Sequence, residues 1–262
     1  MTKEIDEKLA ASLTAETAEL IPHLPYLLQD FWELGSDPGV MVELLQTQAD
    51  LPKDAKVLDL ACGKGAVSVR IAQALGMQVT GFDLLPDFIT VAAQKAAEHQ
   101  VDDLCKFMVD DINLVVDRER DYDCVILGAV GDVLGSPAET LRKLKLTIKT
   151  GGYILIDEGY LPDSGTQDDV QYQNYEFLTK SQWDALFDEM GLELVQTVTE
   201  FENPENPDST AGMASITARA RELMEQYPDK KELFEGYIRS QQDEYDDLDN
   251  NIVCVTWMLQ KR

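Results

Sequence analysis

The chain has 262 residues, 44% of them hydrophobic, with 49 acidic and 22 basic residues and a formal net charge of −27. That length and apolar content suffice for one sizeable core, so an α/β sheet with additions is a simpler reading than two independent domains. The acidic balance argues against unassisted binding to nucleic acid or to anionic membrane surfaces, both of which call for Lys and Arg, and describes first of all a self-repelling solvated surface. An acidic docking face for a basic partner, or salt adaptation of the host, would give the same composition.

The opening run Met1-Thr2-Lys3-Glu4-Ile5-Asp6-Glu7-Lys8 carries charge where a signal peptide needs an apolar core, and no segment has the length of an apolar membrane span, so a cytoplasmic protein is expected. Residues 1 to about 50 read as a helical cap: Ile5, Leu9 and Leu13 share one face, and Asp37-Pro38 caps a helix carrying Val42, Leu44 and Leu45. Strand and helix then alternate. Strands are predicted at Lys56–Leu60, Gln78–Asp83, Cys105–Val109, Cys124–Leu127, Tyr153–Asp157 and Leu192–Thr197, with helices at Ala66–Leu75, Pro86–His99, Pro137–Lys149 and Gln182–Met190. Ser136-Pro137-Ala138-Glu139 and Thr179-Lys180-Ser181-Gln182 have capping-box spacing, and Gly76, Gly151 and Gly191 fall where helices should stop. Such alternation implies a mostly parallel sheet with helices on both faces, a Rossmann-like arrangement within one domain, 1–262.

The end departs from plain alternation. Between the sixth strand and a last one at Asn251–Leu259 stands a segment, 203–248, that opens on the loop Asn203-Pro204-Glu205-Asn206-Pro207-Asp208 and continues with Ile216, Leu223, Met224, Leu233, Phe234 and Ile238 at helical spacing. The parts are therefore a cap (1–50), a core (51–202), a helical insertion (203–248) and a final strand (249–262). The insertion reads equally as a substrate lid and as a surface for stability or homodimer formation.

The chemistry is concentrated in Val57-Leu58-Asp59-Leu60-Ala61-Cys62-Gly63-Lys64-Gly65, followed by Asp83 at the end of the second strand. A strand, a glycine turn and a helix start bring backbone amides close to a ligand, and an acid ending the next strand suits a ribose diol. The glycine pattern is not that of a dinucleotide site, because Ser68 stands where a third glycine would be and Asp59 would repel a pyrophosphate. A carboxylate there suits instead the cationic amino group of an amino acid.

These residues resemble the first motif of the class I S-adenosylmethionine-dependent methyltransferases, and the order of elements from about Val57 to Val198 extends the resemblance. It implies a seven-stranded sheet whose last strand runs antiparallel beside the sixth, with S-adenosyl-L-methionine as cofactor. It further implies that Asp59 and the turn of Ala61, Cys62, Gly63 and Gly65 face the methionine portion, that Asp83 holds the ribose, and that Leu84 lies at the adenine. By the same resemblance Asp110 is the adenine-side acid, with Asp111 and Ile112 beside it, and Gly128 ends the strand toward which the transferred methyl points. Asp110 could also serve simply as a helix cap or a solvated acid.

The acceptor is less legible. Leu127-Gly128-Ala129-Val130-Gly131-Asp132 lacks the Asn/Asp-Pro-Pro-aromatic signature of many enzymes that methylate amide or base nitrogens, which favours a small-molecule acceptor. Candidate general bases are Glu158, Tyr160, Asp132 and His23, and each has an ordinary packing or loop role as its plainer alternative. His99, at a helix end, suits the helix dipole. Tyr26, Phe31 and Trp32, and Tyr160, Tyr172, Tyr175 and Phe177, could wall an acceptor pocket, although Trp32 and Phe177 read better as core. Cys62, Cys105, Cys124 and Cys254 have no paired spacing, so neither a disulfide frame nor a metal site is expected. Two alternatives to methyl transfer are a non-catalytic S-adenosylmethionine-binding or scaffold protein and an enzyme that modifies the cofactor itself, for which Lys64 is the one basic candidate.

Overall fold

A computed structural model describes residues 3–171, 177–199 and 209–262. Tyr172, Tyr175 and the loop from Asn203 to Asp208 lie outside the described residues. The chain forms two compact units, one of Met1–Phe31, Gly159–Lys180 and Asn203–Cys254, the other of Trp32–Glu158, Ser181–Glu202 and Val255–Arg262.

The second unit carries the sheet. Its strands are β1 (Lys56–Leu60), β2 (Gln78–Asp83), β3 (Cys105–Val109), β4 (Tyr122–Gly128), β5 (Ile148–Tyr160), β6 (Leu192–Thr199) and β7 (Val253–Lys261), in the order β3-β2-β1-β4-β5-β7-β6. β1 pairs in parallel with both β2 and β4, β2 with β3 and β4 with β5, whereas β7 is antiparallel to β6. The strand order reverses between β1 and β4, which in an open α/β sheet is where ligands collect.

Helices α1 (Lys3–Ser12), α2 (Leu24–Leu27) and α3 (Pro38–Gln48) precede the sheet. Then come α4 (Ala66–Leu75), α5 (Pro86–Glu98), α6 (Ile112–Arg118), α7 (Pro137–Thr147) and α8 (Lys180–Glu189). Right-handed crossovers put α4 and α5 on one face and α6 and α7 on the other, and the packing agrees: α3 and α5 both lie against α4, while α6 packs on α7. The β1 side chains Val57 and Leu58 are fully buried, and Val57 joins Met41, Leu45, Val69, Ile71, Val79, Ile126 and Leu155 in the core.

Local sequence explains the ends of these elements. Asp37 accepts from the amides of Gly39 (2.7 Å) and Val40 (3.3 Å) to start α3, and Ser136 with Glu139 forms the capping box of α7. Gly76 ends α4 at φ 71°. Gly151 is a correction: α7 stops at Thr147, and Gly151, at φ 77°, lies inside a β5 longer than predicted. Helix α6 is also additional, opened by Asp111, whose carboxylate accepts from Asn113 N at 2.9 Å.

In the first unit, α9 (Ser209–Gln226) and α10 (Lys231–Asn250) form the helical insertion between β6 and β7 and pack on each other. They also meet the chain start. The Arg219 guanidinium bridges Asp30 (2.7 Å) and Glu222 (3.0 Å), the Tyr26 hydroxyl donates to Glu222 (2.5 Å), and Ser240 donates to the Thr14 carbonyl (2.7 Å). Gly212 gives the Tyr245 hydroxyl room on α9: an added methyl group would lie 2.6 Å from that oxygen and displace the tyrosine. Phe177 packs with Leu161, Val170 and Ile252. Among the described residues no helix is long and apolar enough to cross a membrane, no disulfide joins the four cysteines, and no cluster of three metal-ligating side chains occurs.

Candidate functional site

The site grows from the carboxyl end of β1. After Leu60 the chain turns through Ala61 (φ 55°), Gly63 (φ 52°) and Gly65 (φ 75°), three left-handed residues in five, before α4 begins. Only glycine takes that conformation without strain, and at Ala61 the small side chain keeps the cost low. Gly65 also needs its bareness: a methyl group there would lie 2.8 Å from the Ala92 Cβ and 3.0 Å from the Phe107 ring.

Hydrogen bonds tie this turn to the neighbouring strand ends. Cys62 N donates to the Phe82 carbonyl at 2.9 Å and Gly63 N to Asp83 Oδ2 at 2.9 Å. Leu85 N donates to Asp83 Oδ1 at 2.9 Å, and Asp110 N to the Asp83 carbonyl at 3.0 Å. The Asp83 carboxylate is therefore oriented by backbone amides on both oxygens, those of Gly63 and Leu85, with Leu84 N–H a third donor. Burial pushes its carboxyl up to about 6 against those amides.

Asp59 is more deeply enclosed, at 3% exposure. It accepts from the Ser68 hydroxyl at 2.5 Å. Burial, reinforced by the nearby Asp83 charge and opposed by Ser68, pushes its carboxyl up to about 7, with no cation to offset the desolvation. Ser68, which breaks the dinucleotide pattern in sequence, thus has a positive task as the partner of Asp59. Burial pushes the Cys62 thiol well above its usual range, which leaves it a small packing residue of the turn rather than a nucleophile.

The remaining strand ends complete the cluster. The Asp110 carboxylate is paired with Arg118 at 2.7 Å and accepts from Asp111 N at 2.8 Å, so the capping role falls to Asp111 rather than Asp110. Leu84 and Ile112 follow directly on β2 and open α6. Gly128 ends β4 opposite Asp157, whose carbonyl accepts from Ala129 N at 3.0 Å. Asp132 lies in the single 3-10 turn Gly131–Leu134 after it, and Glu158 follows Asp157 on β5.

Two candidate bases belong to the first unit. His23 packs edge-on against Tyr227 and Phe234, with ring centroids 5.2 and 5.1 Å away, and its Nε2 lies 3.4 Å from Lys230 Nζ. Burial, and after it the Lys230 charge, lowers its pKa below the usual histidine value. Tyr160 ends β5 in the same unit. Trp32, read from sequence as core, packs against the main core and also ties it to the turn: its indole N–H donates to the Lys64 carbonyl at 3.0 Å, its ring stacks on His99 at 5.0 Å, and Arg70 and Lys95 lie over it.

The donor set suits a nucleoside joined to a zwitterionic amino acid. Asp59 is a buried acid held by Ser68, and Asp83 a buried acid held by backbone amides beside the glycine turn. Comparison with known proteins agrees. The model of the methyltransferase domain family matches residues 51–191. A protein of Bacillus subtilis described as putative methyltransferase YqeM is 29% identical over 147 residues, 53% of this chain and 51% of that protein. A ubiquinone biosynthesis O-methyltransferase of Xanthomonas euvesicatoria is 30% identical over 119 residues, 45% of this chain and 48% of the relative. The chain thus matches about half the length of these curated relatives. Among solved structures, a SAM-dependent methyltransferase from Geobacter sulfurreducens in complex with S-adenosyl-L-homocysteine has the same fold, with a TM-score of 0.74 at 22% identity over 91% of this chain and 97% of that one. With a family model spanning more than half of its length and a sheet in the family's strand order, the chain belongs to the methyltransferase domain family of class I S-adenosylmethionine-dependent enzymes.

Proposed function

We propose that the protein transfers a methyl group from S-adenosyl-L-methionine to a small organic acceptor. The observation that carries this reading is the pair of buried acids, Asp59 and Asp83, on either side of a left-handed glycine turn, Asp59 held by Ser68 and Asp83 by the Gly63 amide. When bound, the cofactor supplies a sulfonium methyl already activated for in-line displacement, so the protein has mainly to bind, orient and exclude water. Asp59 takes the amino group, the turn of Ala61, Cys62, Gly63 and Gly65 lies along the methionine portion, and Asp83 takes the ribose hydroxyls. Leu84, Asp110, Asp111 and Ile112 line the adenine. Gly128 marks the methyl end, where Asp132 and Glu158 are the candidates to accept a proton from the acceptor. The excess of 49 acidic over 22 basic residues supports a small acceptor rather than nucleic acid, as does the named role of the Xanthomonas relative in ubiquinone biosynthesis. The helical segment 203–248 keeps two readings, a substrate lid and a surface for stability or homodimer formation.

The test is turnover. Incubation with isotopically labelled S-adenosylmethionine and a metabolite extract, read by mass spectrometry, is expected to yield a labelled small molecule together with S-adenosylhomocysteine. Binding of S-adenosylhomocysteine without any labelled product across such extracts would favour the non-catalytic reading. A labelled adduct of the cofactor itself would favour modification of S-adenosylmethionine.

A further inference from the structure

Five consecutive residues, Trp32 to Ser36, run as a strap along the turn after β1 and the end of β4. Trp32 holds the Lys64 carbonyl at 3.0 Å. Leu34 covers Gly63, where an added methyl would lie 3.2 Å from Leu34 Cδ1. Gly35, at φ 84°, passes so close to Ala129 that a methyl on it would lie 2.5 Å from the Ala129 Cβ. Ser36 closes on Gly128, where an added methyl would lie 2.1 Å from the Ser36 Oγ. The β1–β4 register sets Leu60 opposite Leu127, so Ala61 and Gly128 are level and the strap bridges both strand ends.

Ser36 is the anomaly in this strap. It is 6% exposed, and its hydroxyl has no hydrogen-bond partner among the described residues. Buried hydroxyls are rarely left unpaired, because desolvation is uncompensated until a partner arrives. Its neighbours offer none: Gly128 presents its Cα side and Met41 Cε reaches the same spot. The adjacent carboxylate of Asp37 is turned away to the amides of Gly39 and Val40.

We propose that Ser36 donates its hydroxyl hydrogen bond to the carboxylate of the cofactor's methionine portion. The inference rests on the cofactor reading above and completes it. A zwitterionic amino acid presents a cation and an anion together, Asp59 answers the cation from β1, and Ser36 is a buried O–H on the β4 side free to answer the anion. Trp32, by anchoring the strap to the turn carbonyl, is the positioning residue that keeps Ser36 there.

The test compares two ligands by calorimetry: S-adenosylhomocysteine, and its decarboxylated analogue S-adenosyl-3-thiopropylamine, which keeps the amine and the adenosine. Ser36→Ala is expected to weaken S-adenosylhomocysteine about tenfold, the loss of one hydrogen bond to a charged group, while leaving the analogue's affinity unchanged. The ligand-free variant should melt at the same temperature as the parent or higher, because no bond is lost. Equal weakening of both ligands, unchanged affinity for both, or a lowered melting temperature would each overturn the role of Ser36, the last by revealing a structural one. Failure of the parent protein to bind either adenosyl compound would instead remove the cofactor reading, and the Ser36 assignment with it.

Discussion

At the scale of single residues, the account turns on two acids with distinct tasks. Asp83→Ala removes the proposed acceptor for the ribose and is expected to lower S-adenosylhomocysteine affinity at least tenfold, from hydrogen bonds worth about 1.5–3 kcal/mol, in a protein that still folds. Calorimetry on the folded variant checks this, and an unchanged affinity would remove Asp83 from the site. Asp59 sets a pH dependence. Its carboxyl, raised from 3.8 to about 7, binds a proton in the folded protein across a range where the unfolded chain has lost it. Its contribution to stability is therefore full below the unfolded value and is lost as pH rises from about 4 through 7. Ligand-free protein should melt progressively lower between pH 5 and 8, and Asp59→Asn should flatten that slope. Cofactor binding has the opposite sign, since the cationic amino group selects the ionised acid: affinity should rise with pH through the same interval and binding should release protons. A melting profile of equal slope in the parent and Asp59→Asn would contradict the assignment.

At the scale of elements, the glycine turn was legible because its requirements are local: Gly63 and Gly65 are read from backbone sterics alone, and both are left-handed in the structure. Gly65→Ala should cost at least about 1 kcal/mol of stability, from the left-handed backbone and the collision with Ala92 and Phe107. Thermal melting should fall by about 2–4 °C per kcal/mol for a chain of this size, and an unaltered melting temperature would mean the turn is looser than described. The capping box of Ser136 and Glu139 was legible for the same local reason. Helix α6 was not, because at seven residues it is too short for a periodic pattern and Asp110-Asp111 resembled a solvated strand end. The ends of β5 escaped too, since Gly151 signals a helix stop in sequence but serves inside the strand. The strap was invisible for a deeper reason. The pairings of Trp32 with Lys64 and of Ser36 with Gly128 link residues far apart in sequence, and no local pattern marks them.

At the scale of the whole molecule, the cofactor cluster and the helical insertion belong to different units. Asp59, Gly63, Gly65, Asp83, Asp110 and Gly128 are all in the sheet unit, while α9 and α10 are in the other. If 203–248 is a substrate lid, replacing it by a short turn depresses turnover of the acceptor while S-adenosylhomocysteine affinity stays within about threefold of the parent. Equal loss of both would deny the segment a role in acceptor selection. On the proposed reading, the buried acids Asp59 and Asp83 select S-adenosylmethionine over a dinucleotide. Titration of the purified protein by calorimetry with S-adenosylhomocysteine and, separately, with NAD tests that claim most directly. The expected result is saturable binding of S-adenosylhomocysteine with no heat from NAD and no competition by it; tight binding of NAD with no response to S-adenosylhomocysteine would contradict it.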